Sequence, residues 1–236
     1  MNFSVGTSGF SYKEWKGPFY PEKLPNKDML AYYSSELPAV EINNTFYRLP
    51  KREVIENWAA QVPEGFRFSI KASRRITHFR RLKDTGEVLD YLLEATSRLG
   101  DRLGVILFQL PPNFKKDIDR LSAFLETLPG DVRAAFEFRN DSWFDDEGYA
   151  ALRARGAALV TADTNEQDAT IVSTAPFGYL RLRKDGYSNK KIATCAKNVA
   201  AQEWDDAFVF FKHEDAGGGP KMAKKFLQAA AAGSSG

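Results

Sequence analysis

The sequence predicts an α/β fold of the TIM type, a (β/α)8 barrel formed by residues 1–236 as a single domain. Three observations predict it. Eight short apolar runs of strand character recur along the chain. Helix-patterned stretches separate most of them, the alternation that gives a parallel sheet with helices outside. No Gly-, Ser- or Pro-rich linker divides the 236 residues, and eight strands in this length suffice to close a barrel. An open doubly wound sheet is the other architecture that such alternation allows.

The elements follow in order. Strands are expected at 3–8, 39–43, 66–71, 104–110, 133–138, 157–162, 178–183 and 207–212, each rich in β-branched or aromatic residues. A helix over 27–36 stops ahead of Pro38, because the residue before a proline is pushed out of the helical region. A helix over 51–61 lines up Val54, Ile55 and Trp58 and ends before Pro63. The clearest helical period, GEVLDYLLEATSRL, covers 86–99 and meets Gly100, a stop signal. Residues 117–128 carry Ile118, Leu121, Phe124, Leu125 and Leu128 on one stripe and end at Pro129–Gly130. Residues 145–154, 188–203 and 220–231 complete the helices. Between the sixth and seventh strands TNEQDATIVSTAP has no helical period, so that crossover is expected to be degenerate. The AAAAGSSG stretch, from about residue 229, reads as a frayed helix end and a flexible tail.

Polar residues recur at alternate positions near the C-terminal ends of these strands. Glu41 and Asn43 share a face in AVEIN, Ser69 and Lys71 in RFSIKA, Glu137 and Arg139 in AAFEFR, and Arg181 and Arg183 in GYLRLR. Strand side chains alternate between faces, so each run has one apolar and one polar side. In a barrel of this type the site lies at the C-terminal ends of the strands. Gln109, Asp163 and Lys212 lie at strand ends as well, and all these side chains are expected to meet in one mouth.

Composition bounds the chemistry. Lys and Arg (33) nearly balance Asp and Glu (31), giving a net charge of +2, which argues against a generally basic nucleic-acid coat and leaves room for a local basic patch. One cysteine, Cys195, excludes an internal disulfide and a multi-cysteine zinc site, and fits a reducing, cytoplasmic setting. No signal peptide is expected in MNFSVGTSGF, and no apolar run is long enough to span a membrane. With His78 and His213 the only histidines, no metal site and no cofactor is expected.

Five motifs extend this reading. GTSGFSY (6–12), EINNTFYRLP (41–50), KASRRITH (71–78), FQLPP (108–112) and EFRNDSW (137–143) occur in an order that resembles the YecE-like family. The resemblance runs from residue 3 to about residue 212. It implies a TIM-barrel-like fold and brings no reaction with it. The chain departs from the commoner family pattern at Asn140–Asp141, where many members have His–Pro, at RLRKDGY (181–187), and at FKHEDAGGGP (211–220).

The expected function is a pocket for a small anionic ligand, with possible acid/base chemistry. Glu41 and Glu137 are the carboxylates that burial and mutual repulsion would split into acid and base, or that neighbouring cations would neutralise. Lys71 is a candidate base, or a cation neutralising Glu41 or a bound anion. Arg48, Arg74, Arg139, Arg181, Arg183 and Lys212 supply anion-binding charge, guanidinium groups gripping carboxylate or phosphate in two-pronged fashion. Asn43 and Gln109 would orient substrate. Tyr12, Phe46, Tyr47 and Trp143 follow strand ends and can stack on a ring or cap the core; Thr45 and His78 complete the predicted ligand-binding set. Gly217–Gly219 opens the last helix, where free backbone N–H groups attract anions, but lacks P-loop spacing. The alternative is a non-catalytic nucleic-acid binder using the basic, aromatic-flanked loop 71–83; a protein-interaction scaffold is a third reading. The sequence does not fix the oligomeric state.

Overall fold

The computed structural model describes residues 1–165, 170–213 and 217–233. Eight parallel strands close into a barrel in sequence order: β1 (Asn2–Ser8), β2 (Ala39–Ile42), β3 (Arg67–Lys71), β4 (Leu103–Gln109), β5 (Ala134–Glu137), β6 (Ala158–Ala162), β7 (Phe177–Leu182) and β8 (Asp206–Phe211). β8 returns to pair with β1 along six residues, from Asn2 opposite Asp206 to Thr7 opposite Phe211, so the sheet has no free edge. Outside it lie α1 (Met29–Glu36), α2 (Arg52–Ala60), α3 (Gly86–Ser97), α4 (Ile118–Glu126), α5 (Asp146–Arg155), α6 (Asn189–Ala200) and α7 (Gly218–Gly233).

The alternation read in the sequence sorts two cores. Ala39, Val105, Leu107, Ala135, Ala158, Val160, Phe177, Tyr179, Phe208 and Phe210 fill the barrel interior. Small alanines on β2, β5 and β6 share that space with the large rings of β7 and β8, which is how a narrow barrel fills without voids. The alternate residues pack the strands onto the helices; Phe108, for example, lies 5.2 Å from both Phe124 and Phe136. Gly6 admits no side chain, because a Cβ there would stand 1.8 Å from the Ala39 carbonyl oxygen on β2.

Local chemistry sets the element ends. Asp117, Asp145 and Ser188 each accept a backbone N–H at a helix start, from Arg120, Gly148 and Lys191 respectively. Gly156 ends α5 in the left-handed conformation at φ 63°. Between β6 and β7 no helix occurs among the described residues; 166–169 lie outside them. Thr174 instead takes over backbone pairing there, donating to Ala157 O and accepting from Leu159 N, both at 2.8 Å. α7 continues to Gly233, past the residue near 229 where a flexible tail is expected; the last three residues, and Glu214–Ala216 of the FKHEDAGGGP departure, lie outside the described residues.

Candidate functional site

Arg181 organises the top of the barrel. It follows Phe177 and Tyr179 on the inward face of β7 and is 3% exposed, so its charge needs compensation within the protein. Its Nη2 donates to Glu41 Oε1 at 2.8 Å, its Nε to the same oxygen at 3.2 Å, and its Nη1 to Glu137 Oε2 at 2.6 Å. One guanidinium thereby ties β2 to β5 across the lumen. Glu41 also accepts from Ser8 Oγ (2.7 Å), Tyr179 Oη (2.7 Å) and Asn43 Nδ2 (3.0 Å). Glu137 Oε1 receives Arg139 Nε at 3.3 Å and Arg183 Nη1 at 3.1 Å.

This arrangement fixes the protonation states. Burial raises the Glu41 carboxyl, yet the attraction of Arg181 and the hydrogen bonds from Arg181, Ser8 and Tyr179 outweigh it and hold the group below the usual carboxylate range. Glu137 behaves alike: burial opposes ionisation, and Arg181, Arg183 and Arg139 overcome it. Of the two expectations for this pair, the contacts favour neutralisation by neighbouring cations over a division into one acid and one base. Both carboxylates are pulled the same way, because a shared cation outweighs their mutual repulsion.

Lys71 differs. Its ammonium does not bond either carboxylate. It donates to Gln109 Oε1 at 2.9 Å and lies 4.4 Å from the centre of the Phe46 ring. Burial, and then the like charge of Arg181, bring its pKa down to about 8 despite Glu41 and Glu137. Burial followed by the charges of Lys71 and Arg139 also lowers His78, whose ring stands edge-on to Phe46 at 4.9 Å. The sign for stability follows. A lysine whose folded pKa lies below its unfolded value of about 10.4 binds its proton more weakly when folded, so it costs stability at all pH below about 8. Lys71→Met should raise the unfolding midpoint at pH 7, with the gain vanishing near pH 10.5; an unchanged or lowered midpoint at pH 7 would contradict this.

Buried donors face the same region without partners. Gln109 Nε2 and Arg183 Nε have no hydrogen-bond partner among the described residues. Above the floor, Arg139 is 42% exposed and Arg183 20%. Four cations (Lys71, Arg139, Arg181 and Arg183) therefore meet two carboxylates, leaving positive charge directed towards solvent.

The other predicted residues separate from this cluster. Trp143 is fully buried, stacked on Phe138 at 4.5 Å, and donates to Phe114 O; it plugs the outer core instead of facing a ligand. Thr45 is likewise buried, and its hydroxyl bonds the Lys71 carbonyl at 2.6 Å, tying the end of β2 to the end of β3. Tyr12 bonds Ser8 O at 2.6 Å and packs on Trp15. Asp163 corrects the expected parity. Ala158, Val160 and Ala162 face the lumen, so Asp163 turns outward, accepting from Arg183 N at 2.6 Å and from the Tyr187 hydroxyl. There it lines a cavity of about 470 Å3 between β6, β7 and α6, with Cys195, whose thiol burial raises to about 11. Lys212 is exposed just beyond β8. Arg48 lines a groove of about 480 Å3 beside the mouth, with Tyr47, Leu49, Val54 and Trp58. Arg74 sits among exposed aromatic rings on the rim. Sequence reasoning passed over Ser8 and Tyr179, although Tyr179 stands two residues before Arg181 and so shares its face.

Among the described residues no group of three His, Cys, Asp or Glu side chains is placed to hold a metal ion, and no helix is long and apolar enough to cross a membrane.

A closed eight-stranded parallel barrel with its charged residues gathered at the strand C-termini is the TIM-like architecture. The chain belongs to the family described as protein of unknown function DUF72, whose model matches residues 4–235. It is 33% identical over 138 residues to UPF0759 protein YunF of Bacillus subtilis, a match covering 55% of this chain and 49% of that protein. It is 34% identical over 116 residues to UPF0759 protein YecE of Escherichia coli, covering 49% and 43%. The match thus spans about half the length of these curated relatives. A DUF72 family crystal structure from Thermotoga maritima superposes with a TM-score of 0.85 at 27% identity, over 97% of this chain and 98% of that one. A second, from Enterococcus faecalis, gives 0.78 at 21% identity over 97% and 95%, a likeness of fold.

Proposed function

We propose that the barrel mouth binds a small phosphate- or carboxylate-bearing molecule and that Lys71 is its proton-transfer group. The observation that carries this reading is the surplus of cations over a carboxylate floor whose bonds are already made, together with the unpartnered donors of Gln109 and Arg183. An anion would take those donors and the Lys71 ammonium, and would neutralise the surplus charge. Glu41 and Glu137 then act as fixed counter-charges that hold Arg181 and Arg183 in position. Lys71 alone combines a pKa near working pH with a place at the rim of the cluster, which suits proton abstraction or donation at a bound substrate. The cytoplasmic setting expected from the lone cysteine accords with a metabolite ligand.

The test uses inorganic sulfate, which does not itself titrate between pH 6.5 and 9.5, followed by calorimetry. Wild type is expected to bind sulfate at least about tenfold more weakly at pH 9.5 than at 6.5, as Lys71 loses its proton. Lys71→Met should bind weakly at both pH values, and Arg183→Ala should bind about tenfold more weakly than wild type at pH 6.5. Equal affinity for all three proteins at both pH values would refute the proposal. Binding of a single-stranded oligonucleotide that weakens steeply with salt, with no response to sulfate, would favour the nucleic-acid reading instead.

A further inference from the structure

The loop after β3 departs from ordinary backbone geometry beside the mouth. Arg75–Phe79 forms a π-helical turn, and Arg81, Leu82 and Asp84 all adopt positive φ (48°, 68° and 51°) though none is glycine. Such conformations cost energy, and they persist where surrounding structure imposes them. Here the buried side chain of Leu82 anchors the loop, and its N–H bonds Ile76 O at 3.0 Å. The result is to hold Phe79 out in solvent, 67% exposed, where an apolar ring gains nothing for folding. Tyr47, from the loop after β2, is 69% exposed beside it. The Arg74 guanidinium is shared by the two rings, 5.6 Å from the centre of Tyr47 and 5.3 Å from that of Phe79. Two exposed rings from different loops thus gather round one planar cation, and Phe46 packs against Tyr47 from the side of the barrel.

This platform is continuous with the anion site. Tyr47 meets the edge of Phe46 at 5.0 Å, and Phe46 carries the Lys71 ammonium on its face at 4.4 Å. Phe46 therefore links Tyr47 to the cation proposed to grip the anion, and Arg74 links Tyr47 in turn to Phe79. We infer that the ligand of the mouth is a mononucleotide-like molecule, its phosphate held at Lys71 and Arg183 and its flat heteroaromatic ring stacked against Tyr47, Arg74 and Phe79. Stacking between a base and an aromatic or guanidinium plane tolerates different rings, so the platform recognises flatness more than identity. The inference rests on the anion-binding reading above and adds the ring.

The experiment separates the two. Wild type and the double variant Tyr47→Ala/Phe79→Ala are titrated with adenosine 5′-monophosphate and with ribose 5-phosphate, which keeps the phosphate and sugar and lacks the ring. Both substituted side chains are exposed, so the variant should retain the wild-type unfolding midpoint. Wild type should bind the nucleotide at least about tenfold tighter than the sugar phosphate, and the double variant should lose that preference while binding ribose 5-phosphate unchanged. If wild type binds the two ligands equally, or the variant keeps the preference, the ring platform is refuted while the anion site stands. If neither ligand binds while sulfate does, the mononucleotide inference fails and the anion site stands; if sulfate does not bind either, both readings fail.

Discussion

Arg181→Met should destabilise the protein by about 3–5 kcal/mol, the usual cost of removing one partner from a buried ion pair. The reason lies in what remains. Glu41 and Glu137 are 0% and 1% exposed, and each would keep its charge in a place that water does not reach, or else take up a proton and lose it as an acceptor. For a chain of this size that corresponds to a fall of roughly 10 °C in Tm. The urea midpoint at pH 7 measures it, and a loss under about 1 kcal/mol would show that the floor is not coupled as the distances indicate. The triple variant Arg181→Met/Glu41→Gln/Glu137→Gln should recover part of the loss, since a neutral floor leaves no unpaired charge. Arg181→Lys should fall between, because an ammonium cannot present three N–H groups in the plane that now reaches both carboxylates.

The same two carboxylates should make the fold sensitive to acid. Both have folded pKa values below the unfolded carboxylate value of about 4.3. A group depressed on folding contributes stability that is complete above its unfolded pKa and is lost as pH falls towards the folded one, because the unfolded chain then binds the extra proton. The loss should begin below about pH 5 and steepen to about 1.4 kcal/mol per pH unit for each carboxylate. Unfolding free energy measured from pH 6 to pH 3 checks this. Glu137→Gln should be less stable than wild type at pH 6 and should show a shallower decline. If the variant and wild type decline in parallel, other groups dominate the acid response.

Periodicity made much of this legible. The strand runs match the observed strands to within a residue at every end, since apolar alternation and turn residues are local signals that the barrel does not override. The meeting of Glu41, Glu137 and Arg181 was legible too, because their parity on β2, β5 and β7 fixes which side of the sheet they take. Parity did not give the pairing. Parity alone suggests Glu41 as the partner of Lys71, yet its ammonium lies on Gln109 and the Phe46 face, because stagger around the barrel and the height of each side chain choose the partner, and neither is written in one strand. Asp163 shows the opposite failure. Its place at a strand end suggests the mouth, but the parity of Ala158, Val160 and Ala162 puts it on the outer face. Trp143 gave no local signal at all: whether an aromatic after a strand caps the core or meets a ligand depends on the loop that covers it, here the stretch containing Phe114. The rare backbone of residues 75–84 was equally hidden, since arginine, leucine and aspartate at positive φ leave no mark of the kind that glycine does.

The side chains that brace the barrel and those that line its rim come from different segments. Ser8, Glu41, Glu137, Tyr179 and Arg181 are locked to one another below the surface, whereas Tyr47, Arg74 and Phe79 project from loops without bearing on closure of the sheet. Inherited change can therefore accumulate on the rim at little cost to foldedness while the brace stays constant. Relatives built on one chassis are free to diverge in what they hold, and a laboratory seeking new recognition on this chassis would diversify the projecting positions first.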